Sequence, residues 1–237
     1  MLDFLISRSA TLIPQAVTGH LGWLRGAVGA GLAIAFAGGT ALIFRGDSSA
    51  ALPYLVAPMG ASAVLVFGVP ASPLAQPWPV IGGNLISAFI GIAVGLLVGT
   101  PLLSAAIAVA LAIGAMSLTR SLHPPGGASA LLCALGATGV DAWGWWHLVP
   151  VAVNVLALGA AGWLYNNLTG HPWPHHVTVP HAPPTSPSRA YTHDDLEHVL
   201  AEWNELLDVD VDDLDAIFQA LQRRIDERNL RGGGSGR

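Results

Sequence analysis

The chain carries one short motif twice, first as Pro58-Met59-Gly60-Ala61-Ser62-Ala63-Val64-Leu65 and again, 67 positions later, as Pro125-Gly126-Gly127-Ala128-Ser129-Ala130-Leu131-Leu132. Both copies lie in strongly apolar sequence. Both place proline, glycine and serine where a membrane helix ordinarily carries leucine and valine. A duplicated helix-breaking motif in a membrane protein indicates a two-fold binding site or pathway near the middle of the bilayer.

The composition separates an almost uncharged region from a charged tail. Only 11% of the 237 residues are charged and 52% are hydrophobic, against about 25% charged in a typical soluble domain. Up to residue 175 the charged residues are Arg8, Arg25, Arg45, Arg120, Asp3, Asp47 and Asp141. The net charge of −5 therefore belongs to the tail. This pattern predicts a membrane domain followed by a small aqueous segment, and it shows no basic surface for nucleic acid.

Six apolar segments are predicted, at about residues 21–44, 52–69, 80–98, 102–118, 125–140 and 147–168. The second and fifth carry the motif and are short of the roughly 20 residues that a spanning helix needs. The predicted fold is an all-α membrane bundle built from two tandem three-segment repeats with short or broken motif helices. If every segment crosses, the repeats are inverted; if the motif segments are re-entrant, they are parallel.

The predicted domain organisation is an N-terminal segment (1–20), the membrane domain (21–170), a linker rich in proline and histidine (171–190) and a helical hairpin (191–231). No signal peptide is read at the start, and residues 232–237 resemble a remnant of an expression vector. In the six-crossing arrangement three arginines share one side, and these are Arg8, Arg25 and Arg120. The positive-inside rule then predicts cytoplasmic termini in a bacterial inner membrane.

Two features bear on packing and assembly. Gly91, Gly95 and Gly99 recur every four residues, which lets helices approach closely within or between protomers. In the tail, Thr192 with Asp195 and then Asp210 are predicted helix caps. The apolar face of the first tail helix is read to include Leu206 and Leu207. Because this hairpin buries little surface alone, it is expected to pack on a copy of itself or on the cytoplasmic face of the membrane domain. A homo-oligomer is expected, with a dimer favoured.

The second motif copy has the richer surroundings, Thr119-Arg120-Ser121-Leu122-His123-Pro124-Pro125-Gly126-Gly127-Ala128-Ser129. The prolines end one helix and open the next. Free N–H groups at residues 126–129 would then make an anion site, with glycines leaving room for the ligand and Ser129 adding a hydroxyl. The first copy offers the same groups at Gly60, Ala61 and Ser62. Substrate-binding residues are predicted throughout both starts, namely Pro58, Gly60, Ala61, Ser62, His123, Pro124, Pro125, Gly126, Gly127, Ala128 and Ser129.

Three further polar residues, Arg120, Asn84 and Asn154, are candidates for the same site, and His123 is an ionisable member of it. Arg120 and His123 are the ionisable groups nearest to the second copy, and such residues in a membrane are functional candidates. Arg120 has the alternative of an interfacial anchor, and His123 that of pinning the chain break through a backbone carbonyl. Asn84 and Asn154 occupy related places in the two halves, where they either line the pathway or hydrogen-bond helices together.

The run His123-Pro124-Pro125-Gly126-Gly127-Ala128 resembles the signature of the HPP family of integral membrane proteins. The resemblance covers roughly residues 20–175, including the first motif copy and the Trp-rich loop before the last apolar segment. It implies a multi-helix membrane protein. Plastid and cyanobacterial members of the family are linked to nitrite transport, so the resemblance also implies that function. Some bacterial members carry CBS domains after the membrane region, for which this tail is too short.

The leading hypothesis is a transporter or channel for a small inorganic anion, nitrite by resemblance, working with the lipid bilayer and without a cofactor, metal or nucleic acid. The alternative is a membrane-embedded sensor or scaffold whose acidic helical tail mediates oligomerisation or recruits a partner. An enzyme is not expected, because the membrane region lacks paired carboxylates and a metal-ligand set. The residues leave channel and carrier equally open.

Overall fold

The computed structural model describes residues 22–45, 55–176, 191–203 and 209–232, and within these it is helical without a β-strand. The α-helices are α1 (Gly22–Arg45), α2 (Pro58–Ala63), α3 (Asn84–Val98), α4 (Pro101–Leu118), α5 (Pro124–Ala137), α6 (Leu148–Leu168), α7 (His193–Trp203) and α8 (Val211–Gly232). Two π-helical turns, Val64–Gly68 and Pro79–Gly83, extend α2 and precede α3. The all-α membrane-type fold predicted from the sequence is confirmed.

Within the described residues, three stretches are long and apolar enough to cross a membrane, namely Pro79–Val98, Pro101–Leu118 and Trp145–Leu168. They correspond to the third, fourth and sixth predicted segments. The motif segment Pro58–Gly68 is shorter, at about 16 Å for the 1.5 Å rise of a helical residue. Large apolar side chains such as Leu97, Leu102 and Leu118 are more than four-fifths exposed, as suits a lipid-facing surface.

Glycine contacts fix how α3 and α5 run. A Cβ atom on Gly83 would meet His123, one on Gly91 would meet Ala130, and one on Gly95 would meet Ala137. Both residue numbers increase together, so α3 and α5 are parallel and their backbones nearly touch. The prediction that glycines at this spacing allow close packing holds for Gly91 and Gly95. Gly99 instead ends α3 with φ of 72°, a left-handed conformation that glycine adopts without strain.

The helices α2 and α6 are parallel in the same way. Val56 lies beside Asn154, and a Cβ atom on Gly162 would meet Val66. At the C-terminal end of this pair, Phe67 packs edge-on against Tyr165 with ring centroids 5.7 Å apart. Most of the buried core lies between α1, α2, α3, α5 and α6, with Met59, Phe67, Ile92 and Leu158 as its large members.

The start of α1 lies at the C-terminal ends of α2 and α6. Arg25 donates to the Phe67 carbonyl at 2.9 Å and to Asn166 Oδ1 at 2.8 Å, while the Tyr165 hydroxyl donates to the Arg25 carbonyl at 2.8 Å. A cation at the end of a helix complements its unpaired carbonyls. The first and last helices of the membrane domain are thereby tied together at one end.

The described residues divide into two compact units: those up to 70 and from 74 to 174 form one, and those from 71 to 73 and from 175 onward form the other. In the second unit the Thr192 N–H and hydroxyl both donate to Asp195, and the Asp195 N–H donates back to Thr192. These bonds lower the pKa of the Asp195 carboxyl. Asp210 accepts from the Asp212 N–H at 2.9 Å. Both predicted caps are confirmed; Leu206 and Leu207 lie outside the described residues.

Candidate functional site

A five-residue reversal between α4 and α5 positions His123. The Ser121 N–H donates to the Met116 carbonyl at 2.8 Å, and the Arg120 N–H donates to the Ser117 carbonyl at 3.3 Å. This is the Schellman arrangement, which requires a left-handed residue after the helix. Arg120 occupies that place with φ of 52°. His123 follows in extended conformation, as the residue before a proline prefers, and caps α5.

The two ring nitrogens of His123 have different partners. Nδ1 lies 2.8 Å from the Leu74 carbonyl oxygen, and Nε2 lies 2.8 Å from Ser62 Oγ. Because a carbonyl oxygen can only accept, Nδ1 carries the proton. A neutral ring then accepts the Ser62 hydroxyl proton at Nε2. The imidazole therefore ties the start of α5 to the first motif copy and to the loop that follows it.

Asn84 extends this contact into a network joining both motif copies. Its Nδ2 donates to Ser62 Oγ at 3.2 Å and to the Val80 carbonyl at 2.8 Å. Its Oδ1 accepts the Ser129 hydroxyl proton at 2.6 Å. Ser62, Asn84 and His123 are 0% exposed and Ser129 is 2% exposed. We call these four side chains the buried polar network.

The helix starts differ from the prediction of free amides. The Gly126 N–H donates to the His123 carbonyl at 2.7 Å, and the Met59 and Gly60 N–H groups donate to the carbonyls of Val56 and Ala57. Two prolines remove two further donors from the start of α5, and later amides lie where the helix supplies an acceptor four residues back. The expected free amide is therefore wrong at Gly126 and at Gly60, and side chains form the polar interior instead.

The structure separates the other predicted site residues from the network. Gly60, Ala61, Pro124, Ala128 and Arg120 are exposed. Gly127 is half-buried, and Pro58 and Pro125 are buried within their helix starts. Asn154 bonds elsewhere, accepting from the Val56 N–H at 3.3 Å and donating to the Pro150 carbonyl at 2.9 Å. Four of the predicted residues, Ser62, Asn84, His123 and Ser129, are thus brought together.

Ser87 is a neighbour that the sequence reading missed. Its hydroxyl is buried and has no hydrogen-bond partner in the described part of the chain. A Cβ atom on Gly126 would lie 2.9 Å from it, so it faces the start of α5. The sequence spacing could have identified it, because Ser87 lies three positions after Asn84 and therefore on the same helix face.

An open groove in the described part of the membrane unit lies apart from this network. A groove of about 310 Å³ between α1 and α6 is lined by apolar residues, among them Leu32, Phe36, Leu164 and Leu168. It includes none of the predicted site residues. The buried polar network itself is closed to solvent in this structure.

The fold and the buried polar network define a multi-helix membrane protein with a polar interior. The chain belongs to the HPP transmembrane family, whose model, described as the HPP transmembrane region, matches residues 15–174. This confirms the family resemblance carried by the His-Pro-Pro-Gly-Gly run.

Two transmembrane proteins of Dictyostelium discoideum are similar to the chain. One is 42% identical over 120 residues, covering 48% of this chain and 38% of the relative. The other is 38% identical over 128 residues, covering 52% of this chain and 45% of the relative. The chain thus spans less than half the length of either relative. No solved structure matches it.

Proposed function

We propose that the chain moves a small inorganic anion across a membrane and that nitrite, which the family resemblance implies, is the substrate. The buried polar network carries this proposal. Polar side chains are costly to bury in a membrane domain and are functional candidates where they occur. Here four of them join the two motif copies in the interior of the bundle.

The chemistry of the network suits a small monovalent anion. Helices α1 to α6 contain no Asp, Glu or Lys, and their charged residues are Arg25 and Arg45. An anion entering the network therefore meets hydroxyl, amide and imidazole donors without a fixed carboxylate to repel it. Once a hydrogen bond within the network is released, such a group can donate to a single negative charge while still allowing the anion to leave. Arg120, exposed at the end of α4, attracts anions to that end of the bundle.

The packing supports six crossings arranged as two inverted repeats. The parallel pairs α3 with α5 and α2 with α6 each join a motif helix of one half to the third helix of the other. The two three-helix repeats therefore run in opposite directions across the membrane, and the start of α1 and the end of α6 lie on the same side of it. Arg25 and Arg120 lie on that side, which the positive-inside rule makes cytoplasmic. The bacterial inner membrane remains our expectation, although the relatives described above are eukaryotic.

Flux measurements test the function directly. The full chain in proteoliposomes should transport nitrite above protein-free liposomes, and nitrate, chloride and bicarbonate define the selectivity. Ser129→Ala removes the donor to Asn84 and should lower the flux at least tenfold. Ser117→Ala is the matched control, because its hydroxyl only bonds the Ile113 carbonyl on an exposed helix face. Absence of nitrite flux in the wild-type protein would overturn the proposal.

The tail supports oligomerisation as a second role. On α8, Ile217, Phe218, Leu221 and Ile225 are between 38% and 61% exposed within the described residues, and they recur at helical spacing on one face. We propose that this face packs against its copy in a homodimer. Light scattering of the detergent-solubilised chain should report a dimer for the wild type and a monomer for Leu221→Glu with Ile225→Glu. A dimer in the double variant would exclude the tail as the interface.

A further inference from the structure

The hydrogen bonds of the buried polar network form one series in which each side chain donates to the next. Ser129 donates to Asn84, Asn84 donates to Ser62, Ser62 donates to His123, and His123 donates to the Leu74 carbonyl. With the ring neutral, each side-chain O–H and N–H in this series has its acceptor. The closed network therefore has no spare donor to offer an anion.

A second proton on His123 changes this donor balance. The new N–H at Nε2 can only donate, and its partner at 2.8 Å is Ser62 Oγ. That oxygen then accepts from both His123 and Asn84, which uses its two acceptor sites. The hydroxyl proton of Ser62 must turn away from the ring, and it becomes a free donor inside the bundle.

The groups that surround His123 are neutral, so His123 is the member of the buried polar network that can take up a proton. The ring contacts Ser62 of α2 and the Leu74 carbonyl of the loop that follows α2. The backbone of Gly83, in the turn before α3, also lies beside it. Its own reversal contributes the neutral residues Ser121 and Leu122. No charged side chain acts on it in the described residues. Arg120, three positions away, is exposed.

We propose that His123 couples anion binding to the uptake of one proton, an inference that rests on the transport function proposed above. The proton comes from solution and is held at Nε2. The freed Ser62 hydroxyl donates to the anion, and the imidazolium charge balances the anion charge. Because the loaded site is neutral overall, the protein carries anion and proton together, and it moves no net charge across the membrane.

The first test measures binding by the full chain in detergent, with nitrite as the probe. Above the pH at which the free protein holds His123 neutral, nitrite affinity should fall about tenfold per pH unit, because each anion bound requires one proton. A pH-sensitive dye in weak buffer should report about one proton taken up per nitrite bound. Binding that does not vary with pH, or that takes up no proton, would overturn the coupling.

The variant His123→Gln places a donor beside Ser62 without the uptake of a proton. In His123→Gln the side-chain amide donates toward Ser62 at all pH values, so we expect nitrite binding that is weaker and independent of pH. His147→Gln is the matched control, because His147 lies in the loop before α6 and stacks on Trp143; it should retain the wild-type pH dependence. A pH slope that persists in His123→Gln contradicts the assignment to His123.

A liposome measurement separates failure of the coupling from failure of the function. With the membrane potential set by valinomycin and potassium, coupled transport should be insensitive to voltage and should acidify the lumen beyond protein-free liposomes, which report nitrous acid leak. Flux that follows the voltage would keep the transport function and overturn the coupling. No flux above protein-free liposomes would overturn both.

Discussion

The two motif copies share one backbone hydrogen bond at their helix starts and yet have different surroundings. Met59 donates to the Val56 carbonyl as Gly126 donates to the His123 carbonyl, at positions related by the same 67-residue offset. The residue that supplies this carbonyl is buried in both copies, but it is valine in the first and histidine in the second. The backbone device is therefore shared, while the polar chemistry enters through the second copy. Helix geometry and recognition are separate properties of the motif.

The strongest test of this comparison makes the second copy resemble the first. His123→Val leaves the Ser62 hydroxyl and the Leu74 carbonyl buried without their partner, and each such group costs about 1–3 kcal/mol. We expect a loss of roughly 3–5 kcal/mol in unfolding free energy when the lost volume is included, together with loss of nitrite flux. Thermal unfolding in detergent and liposome flux measure both. Wild-type stability in this variant would show that the ring bonds contribute nothing.

The glycines of the two copies offer a matched pair. In Gly126→Ala the new Cβ atom would lie 2.8 Å from Met116 Sδ and 3.0 Å from the Gly83 carbonyl oxygen, whereas Gly60→Ala meets nothing within 4 Å. We expect Gly126→Ala to destabilise by about 1–3 kcal/mol and Gly60→Ala to stabilise by about 0.5–1 kcal/mol. Unfolding midpoints give the ranking. Equal effects would mean that α5 and α3 are not closely packed here.

The asparagines sharpen the comparison further. Asn84 and Asn154 each donate to the carbonyl four residues earlier, but only Asn84 links Ser62 with Ser129. We expect Asn84→Ala and Asn154→Ala to cost similar stability, about 1–3 kcal/mol, while Asn84→Ala alone reduces flux by at least tenfold. Flux and unfolding are compared on the same preparations. A larger flux loss for Asn154→Ala would move the site toward the first half.

Arg120 gives the smallest effect. Its left-handed conformation costs an ordinary residue about 1 kcal/mol, which glycine avoids. Arg120→Gly should therefore raise stability by about that amount and lower flux only a few-fold, at low ionic strength, because the side chain lies outside the network. Repeating the flux assay in high salt checks this reading. Loss of flux at every salt concentration would instead make Arg120 part of the binding site.

Hydropathy and helix breakers were sufficient to predict the limits of two apolar helices. Pro79–Val98 and Pro101–Leu118 lie within a residue or two of their predicted limits, because proline and glycine end helices by local backbone geometry. The tail caps were also predictable, because a cap depends on residues that are close in sequence; Thr192 and Asp195 are only three residues apart.

The polar partners were not predictable in the same way. His123 and Ser62 are 61 residues apart, and no local rule states which distant hydroxyl meets which ring nitrogen. The predicted free amides failed because the carbonyl of the residue before each helix accepts the N–H three residues later. Ser87 shares a helix face with Asn84, but only the packing of α5 against that face shows that its hydroxyl lies beside Gly126. Tertiary packing determines these contacts.

The Arg25 contacts have a consequence for biogenesis. Its guanidinium and carbonyl group meet Asn166 and Tyr165, some 140 residues later in the chain. During synthesis α1 therefore enters the membrane long before its partner exists, with Gly26 and Gly29 shaped for contacts with Phe67 and Tyr165. The contacts of Arg25 with Asn166 and Tyr165 can form only after α6 leaves the ribosome. Premature termination before α6 would leave Arg25 held by its bond to the Phe67 carbonyl, so the synthesis of α6 completes this end of the bundle.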